Sequence, residues 1–252
     1  MSEGILGLLG TGLIGSSIGM RARRYGAYVV AADSDPAALE LAKAAGAIDR
    51  DVALEDLFRT CDVLVFAVHL AATVDALERL ARYPGAGPTL AIDVSSVKGP
   101  VVRAARGVKN FVATHPLAGS ERSGAAAARA DLFEGRTWAY VPSGDEALDA
   151  RARAFIRSCG ALPTAVGAEE HDRIVALTSH VPQVVATCYA ALLRDSETDS
   201  QQLCGPVARE LLRIAGMNPA MWDEIFAANA REIEPHLRRL ASALTGEAAV
   251  LR

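Results

Sequence analysis

Cysteine is scarce and scattered in this chain of 252 residues, with Cys61, Cys159, Cys188 and Cys204 standing far apart. No two have metal-ligand spacing and nothing suggests a disulfide framework. They read as reduced, small apolar residues of a cytoplasmic protein, with no metal site. Charge of one sign is not concentrated anywhere. The net charge is −4 with acids and bases interspersed, which speaks against a nucleic-acid-binding stripe and against a disordered charged tail. No basic segment leads into an apolar one at the N-terminus, so no secretory signal is expected. No run of roughly 18 or more apolar residues free of charge suggests a membrane span. No small βαββαβ regulatory domain is expected at the C-terminal end. What remains is 51% hydrophobic, enough to bury one large core or two modest ones.

What is present begins with a glycine turn. Ile5–Leu9 is a short apolar run that reads as a buried strand. Gly10-Thr11-Gly12-Leu13-Ile14-Gly15 follows at once, residues 16–25 read as a helix, and a second apolar run ends at Asp33. Strand, glycine turn, helix, strand and acid are the context that the dinucleotide fingerprint requires. Gly10 permits the tight turn, Gly12 lets a pyrophosphate approach the backbone, and Gly15 lets the helix pack on the strand. The helix N-terminus supplies free N–H groups to the phosphates. All six turn residues are assigned to the cofactor. Asp33 is expected to accept from the ribose hydroxyls and to repel a 2′-phosphate, and no arginine follows it. NAD is therefore expected rather than NADP. Asp35-Pro36 can start the next helix by itself, which leaves Asp33 free.

The alternation continues with helices over 36–45 and 71–82 and strands over 63–68 and 90–94. Such alternation implies a doubly wound parallel sheet of the Rossmann type. Ligands of these sheets bind at the carboxyl ends of strands, so the polar clusters there are the candidates. His69 follows one strand, and either lines the nicotinamide side or is exposed on a loop. Asp93-Val94-Ser95-Ser96-Val97-Lys98 follows the next. It reads as a serine helix cap before 101–106 with a surface lysine, or as hydroxyls facing the nicotinamide. Residues 110–113 read as a further strand. Thr114-His115-Pro116-Leu117-Ala118-Gly119-Ser120-Glu121 reads as the loop at its end. Residues 125–130 read as a helix, 138–141 as a strand, 147–159 as a helix, and 162–166 as an edge strand, where Pro163 is tolerated.

These blocks, in this order and followed by Leu132-Phe133-Glu134-Gly135, resemble the prephenate and arogenate dehydrogenase family of tyrosine biosynthesis. Thr178-Ser179-His180-Val181-Pro182 and Arg213-Ile214-Ala215-Gly216 with Trp222 extend the resemblance over nearly the whole chain. It implies an NAD-binding domain over 1–167 and an all-α substrate and dimerisation domain over 168–252. It also implies a homodimer through the helical domain, with no membrane and no nucleic acid. The implied reaction oxidises a ring carbinol while a ring carboxylate leaves as carbon dioxide, giving 4-hydroxyphenylpyruvate from prephenate or tyrosine from arogenate. His115 matches the family's catalytic histidine, and a residue titrating near neutrality suits the proton transfer. Ser96 matches a serine bonded to that histidine and to the substrate, and Ser95 falls on the cofactor side. Ser120 and Glu121 match positions near the substrate side chain, Glu121 being equally readable as a helix-start carboxylate. Ser179 matches a substrate-binding serine and Arg213 a substrate-binding arginine. Gln183 stands where the family has a second histidine. Glutamine can donate a hydrogen bond but carries no charge, which raises arogenate beside prephenate.

The residues 174–193 should form a long helix buried on most sides. His171 and His180 read as structural histidines, Trp222 as packing, and Pro235 as a turn or kink. Two rival readings remain. A β-hydroxyacid dehydrogenase or imine reductase relies on a lysine in its helical domain, and this chain has none beyond Lys109. A non-catalytic NAD sensor would not need His115.

Overall fold

The computed structural model describes residues 4–120, 122–195 and 204–250. It divides into two compact units after Ala168. The first opens with β1 (Ile5–Leu9), α1 (Leu13–Arg24), β2 (Tyr28–Ala32), α2 (Pro36–Ala44), β3 (Arg50–Asp51) and α3 (Leu54–Thr60). It continues with β4 (Val63–Phe66), α4 (Leu70–Ala81), β5 (Leu90–Asp93), α5 (Lys98–Ala104) and β6 (Phe111–Val112). The strands run in the order β3-β2-β1-β4-β5-β6, all parallel. Parallel strands need helical crossovers that cover both faces, which is why these strands read as unbroken apolar runs. Alternate residues feed two cores: Leu8, Val65 and Ile92 on one face, Leu64, Phe66 and Ala91 on the other. The order reverses between β1 and β4, which opens the ligand crevice at their carboxyl ends.

From β6 the chain passes through Ala113 into a second sheet, β7-β8-β9, made of β7 (Thr114–Pro116), β8 (Thr137–Tyr140) and β9 (Leu162–Ala165). β7 runs antiparallel to β8 and β9 parallel to it, with α6 (Glu146–Ser158) between β8 and β9. His115 therefore lies within a strand, opposite Ala139, and not on the expected loop. Its ladder partner is distant in sequence, so no local pattern announces the pairing. Both prolines of this sheet, Pro116 and Pro163, stand on edge strands, where a missing N–H costs no ladder bond. The helix expected over 125–130 is only a 3-10 turn, Ala125–Ala127, entered through Gly124 at φ 78°. So short an alanine run cannot offset the cost of helix nucleation. Trp138 is fully buried between Phe133 and Phe155.

The second unit is helical: α7 (Ala168–Val175), a π-helical segment Ala176–His180, α8 (Val181–Arg194), α9 (Pro206–Ala215) and α10 (Pro219–Val250). The continuous run Ala168–Arg194 is long and apolar enough to cross a membrane by length and composition alone, although Thr178, Ser179, His180 and Gln183 interrupt its apolar residues. Here it packs against α9 and α10. It is also less covered than expected, since Ile174, Leu177 and Leu192 are exposed. The break in α10 is at Asn229 (φ −119°, ψ 17°) and not at Pro235, which sits inside the helix. Asn229 is buried, and its side chain bonds the Asp172 carbonyl at 2.8 Å and approaches His180 Nδ1 at 3.2 Å.

Candidate active site

Three glycines shape the turn after β1, and each does something different. Gly10 has φ 99°, and a Cβ there would meet the Ala67 carbonyl oxygen at 2.4 Å. A Cβ on Gly15 would meet the Gly10 carbonyl oxygen at 2.1 Å, so the protein's own packing demands glycine at both. A Cβ on Gly12 would meet nothing within 4 Å. Glycine at that position answers to a group from outside, and a pyrophosphate lying on the backbone fits. Gly12 is the N-cap of α1 and no side chain caps the helix. The first-turn amides at Leu13, Ile14 and Gly15 thus remain available to an anion.

Asp33 follows β2 and is held by the same turn. The Thr11 amide and hydroxyl both donate to its Oδ2, at 2.7 and 2.9 Å, and the Asp35 amide donates to its Oδ1 at 3.0 Å. Asp35, as expected, caps α2 by accepting from the Ala37 amide at 2.9 Å. Asp33 is thereby free of capping and keeps acceptor capacity for ribose hydroxyls. His69 is exposed at the N-terminal cap of α4, directly after β4. Ser95 Oγ is buried with no hydrogen-bond partner among the described residues. Buried hydroxyls are rarely left so, and this one lies where a ligand is expected. These residues fit a dinucleotide.

The catalytic candidates sit on neighbouring strand ends. Ser96 follows β5 and His115 lies in β7, both half-buried. Of the two readings of this turn, the serine cap does not form: α5 starts at Lys98, after Val97, with no side-chain cap. Nor is Lys98 a surface charge. It is 1% exposed and pairs with the fully buried Asp93 at 2.5 Å. Removing one partner of such a buried pair costs about 3–5 kcal/mol. Ser120 is half-buried, its Oγ accepting from the Arg122 amide at 3.1 Å, and Glu121 lies outside the described residues. Residues Leu117, Ala118 and Gly119 line a cavity of about 220 Å³ with Arg129, Leu132 and Arg136. Burial pushes the Cys61 thiol up to about 11 and the Cys159 thiol to about 12, so neither is a nucleophile.

In the helical unit, Ser179 is exposed in the π-helical segment, and the buried His180 packs edge-on to Trp222. Burial pushes the His180 imidazole down to about 4, leaving it neutral. His171 is buried and its Nδ1 lies 2.8 Å from Asp172; it is structural, as expected. Gln183 is buried, and its Nε2 donates to the Ile214 carbonyl at 3.1 Å. Its Oε1 has no partner among the described residues, nor has the Trp222 Nε1. The unpartnered atom is an acceptor, while Nε2 gives one of its two hydrogens to Ile214. Arg213 is exposed on α9 and its fork is held by Glu210, Nε to Oε2 at 2.9 Å and Nη2 to Oε1 at 2.6 Å.

Comparison with known proteins places the whole chain. Residues 18–162 match the family model described as the prephenate dehydrogenase nucleotide-binding domain, and 167–251 match its dimerization domain. The probable prephenate dehydrogenase NovF of Streptomyces niveus is 36% identical, over 97% of this chain and 68% of that protein. The chain spans about two thirds of the length of the first curated relatives it matches. Two solved structures share the fold. Prephenate dehydrogenase from Aquifex aeolicus, in complex with hydroxyphenyl propionate and NAD+, has a TM-score of 0.88 at 22% identity, over 98% of this chain and 90% of that one. Synechocystis arogenate dehydrogenase has a TM-score of 0.79 at 23% identity, over 98% and 91%. With both domains matched and a relative above 30% identity, this chain belongs to the prephenate dehydrogenase family.

Proposed function

We propose that this chain is an NAD-dependent prephenate dehydrogenase that oxidises and decarboxylates its substrate to 4-hydroxyphenylpyruvate. One observation carries this reading: the glycine turn after β1 and the Ser96 turn after β5 lie at the carboxyl edge of one parallel sheet, with His115 in the strand that follows β6, in a chain of that family. NAD, when bound, accepts the hydride from the ring carbinol. His115 takes the hydroxyl proton as the carbonyl forms. Ser96 orients that hydroxyl, and Asp33 and the α1 amides hold the dinucleotide. Aromatisation drives off the ring carboxylate as carbon dioxide, and Arg213 binds substrate carboxylate in exchange for Glu210.

A second reading rests on Gln183. One of its two amide hydrogens goes to Ile214, its buried Oε1 has no donor among the described residues, and a buried acceptor without a donor is costly. An ammonium group satisfies it and a keto group does not. That favours arogenate, either beside prephenate or ahead of it. The helical unit also supports a homodimer, since it matches a dimerization domain and leaves Val207, Leu192 and Leu244 exposed.

The test is NADH production with each substrate, for wild type and His115→Ala. Turnover of at least one substrate is expected. The variant should lose two or more orders of magnitude in kcat, about the general-base contribution, with NAD affinity unchanged. No turnover of either substrate, or an undiminished variant, removes the reading.

A further inference from the structure

The buried pair Asp93–Lys98 belongs to none of the roles assigned so far. Lys98 is the first residue of α5, where the helix dipole disfavours a cation, and it is 1% exposed, where burial disfavours it again. Two penalties at one residue call for a compensating role.

The two sheets supply the reason. β6 pairs only with β5 and β7 only with β8 among the described residues, and a single residue, Ala113, joins β6 to β7. No strand ladder fixes His115 relative to the end of β5, where Ser96 stands. Side chains do this instead. Asp93 Oδ2 accepts from the Ser95 amide at 2.9 Å, which holds the turn carrying Ser96. Asp93 Oδ1 accepts from the Thr114 amide at 2.8 Å. Lys98 Nζ donates to Asp93 Oδ2 at 2.5 Å and to the Thr114 carbonyl at 2.5 Å. That carbonyl belongs to the peptide bond leading into His115. The Thr114 hydroxyl donates to the Asp93 carbonyl, and Trp138 Nε1 donates to that hydroxyl at 2.9 Å. Every member is buried.

We propose that Asp93 and Lys98 are positioning residues, a buried clasp that sets the separation of Ser96 and His115 across the junction of the two sheets. They touch neither substrate nor cofactor. Catalytic geometry is steep in distance: a shift of about 1 Å can cost about a hundredfold in rate. Loosening the clasp should therefore lower kcat and leave binding intact. The proposal rests on the dehydrogenase reading for its kinetic test.

The experiment compares Lys98→Met, Asp93→Asn and the double variant with wild type. In Lys98→Met, kcat should fall about 10- to 100-fold, with KM for substrate and Kd for NAD within twofold. The double variant removes both charges, so its melting temperature should return toward wild type while kcat stays low. Recovery of kcat together with stability would make the pair a fold element only and overturn the proposal. So would a loss carried by KM, or failure of the single and double variants alike to fold. The His115 ring resonance gives a readout apart from turnover and should move in Lys98→Met. If wild type turns over neither substrate while that resonance still moves, the dehydrogenase reading fails and the clasp stands. An unmoved resonance sinks the clasp whatever the enzyme does.

Discussion

The sheet-bearing unit and the helical unit treat their apolar surface in opposite ways. In the first, two large clusters close over both faces of the sheet, with Leu8, Leu64, Phe66, Phe133 and Trp138 almost wholly out of water. In the second, the buried cluster is Ala176, Val181 and Ile233, with Val185, Phe226, Leu237 and Leu240 half covered against it. α9 buries no residue at all, and Val207 on it is 78% exposed. A unit of this size buries a smaller fraction of its surface than a larger one does, so its core is more marginal. The first unit closes its core within one chain, and the second leaves apolar side chains exposed.

The largest expected effect breaks that contrast directly. Leu192→Glu and Val207→Glu place a charge where the chain alone exposes 71% and 78% of the residue. In a monomer both changes are harmless. In a dimer that covers these positions, each removes about 1.5–3 kcal/mol of apolar burial and adds the cost of burying a charge. Sedimentation should show the wild type as a dimer and the double variant as a monomer with a lower melting temperature. Variants that keep wild-type mass and stability would show that the helical unit needs no second copy at these positions.

The next effect sharpens what the first unit owes to itself and what it owes to its ligand. Gly15→Ala forces a Cβ to within 2.1 Å of a backbone oxygen, whereas Gly12→Ala adds one in open space. The first variant should lose several kcal/mol of stability, as overpacking and backbone shifts do. The second should melt like wild type yet bind NAD about tenfold or more weakly, because the pyrophosphate can no longer approach. Calorimetry and NAD titration separate the two. A Gly12→Ala variant with unchanged NAD affinity would break the assignment of that turn.

The same contrast governs what could be read from sequence. The glycine turn, Asp33 and the parallel strands were legible because each signal is local, a run of apolar residues followed by a fixed spacing. β7 was not, since His115 acquires its strand from Ala139 and Tyr140, far along the chain. The Ser95–Ser96 turn looked like a helix cap because a cap and a strand-end loop share one composition. Only the burial of Lys98 against Asp93 tells them apart. For Gln183 the residue type was legible but its orientation was not. The carbonyl that turns its amide around belongs to Ile214 on another helix. Arg213 likewise read as a free anion binder, while Glu210, one turn before it, holds its fork.

The smallest effect uses pH to probe how well the helical unit is closed around His180. Burial pushes this imidazole down to about 4, against an ordinary 6.5; the Asp172 charge partly opposes the shift and His171 adds to it. The folded value lies below the unfolded one, so the unfolded chain takes up the proton first. Stability from this group is complete above about 6.5 and is lost as pH falls from there toward about 4, with no further loss below. Between pH 7 and 5 the wild type should lose melting temperature by about 4–8 °C more than His180→Asn, the shift that about 2 kcal/mol produces in a protein of this size. Equal losses in both proteins would mean that water reaches the ring. The helical unit would then be even more open than its exposed leucines and valine indicate.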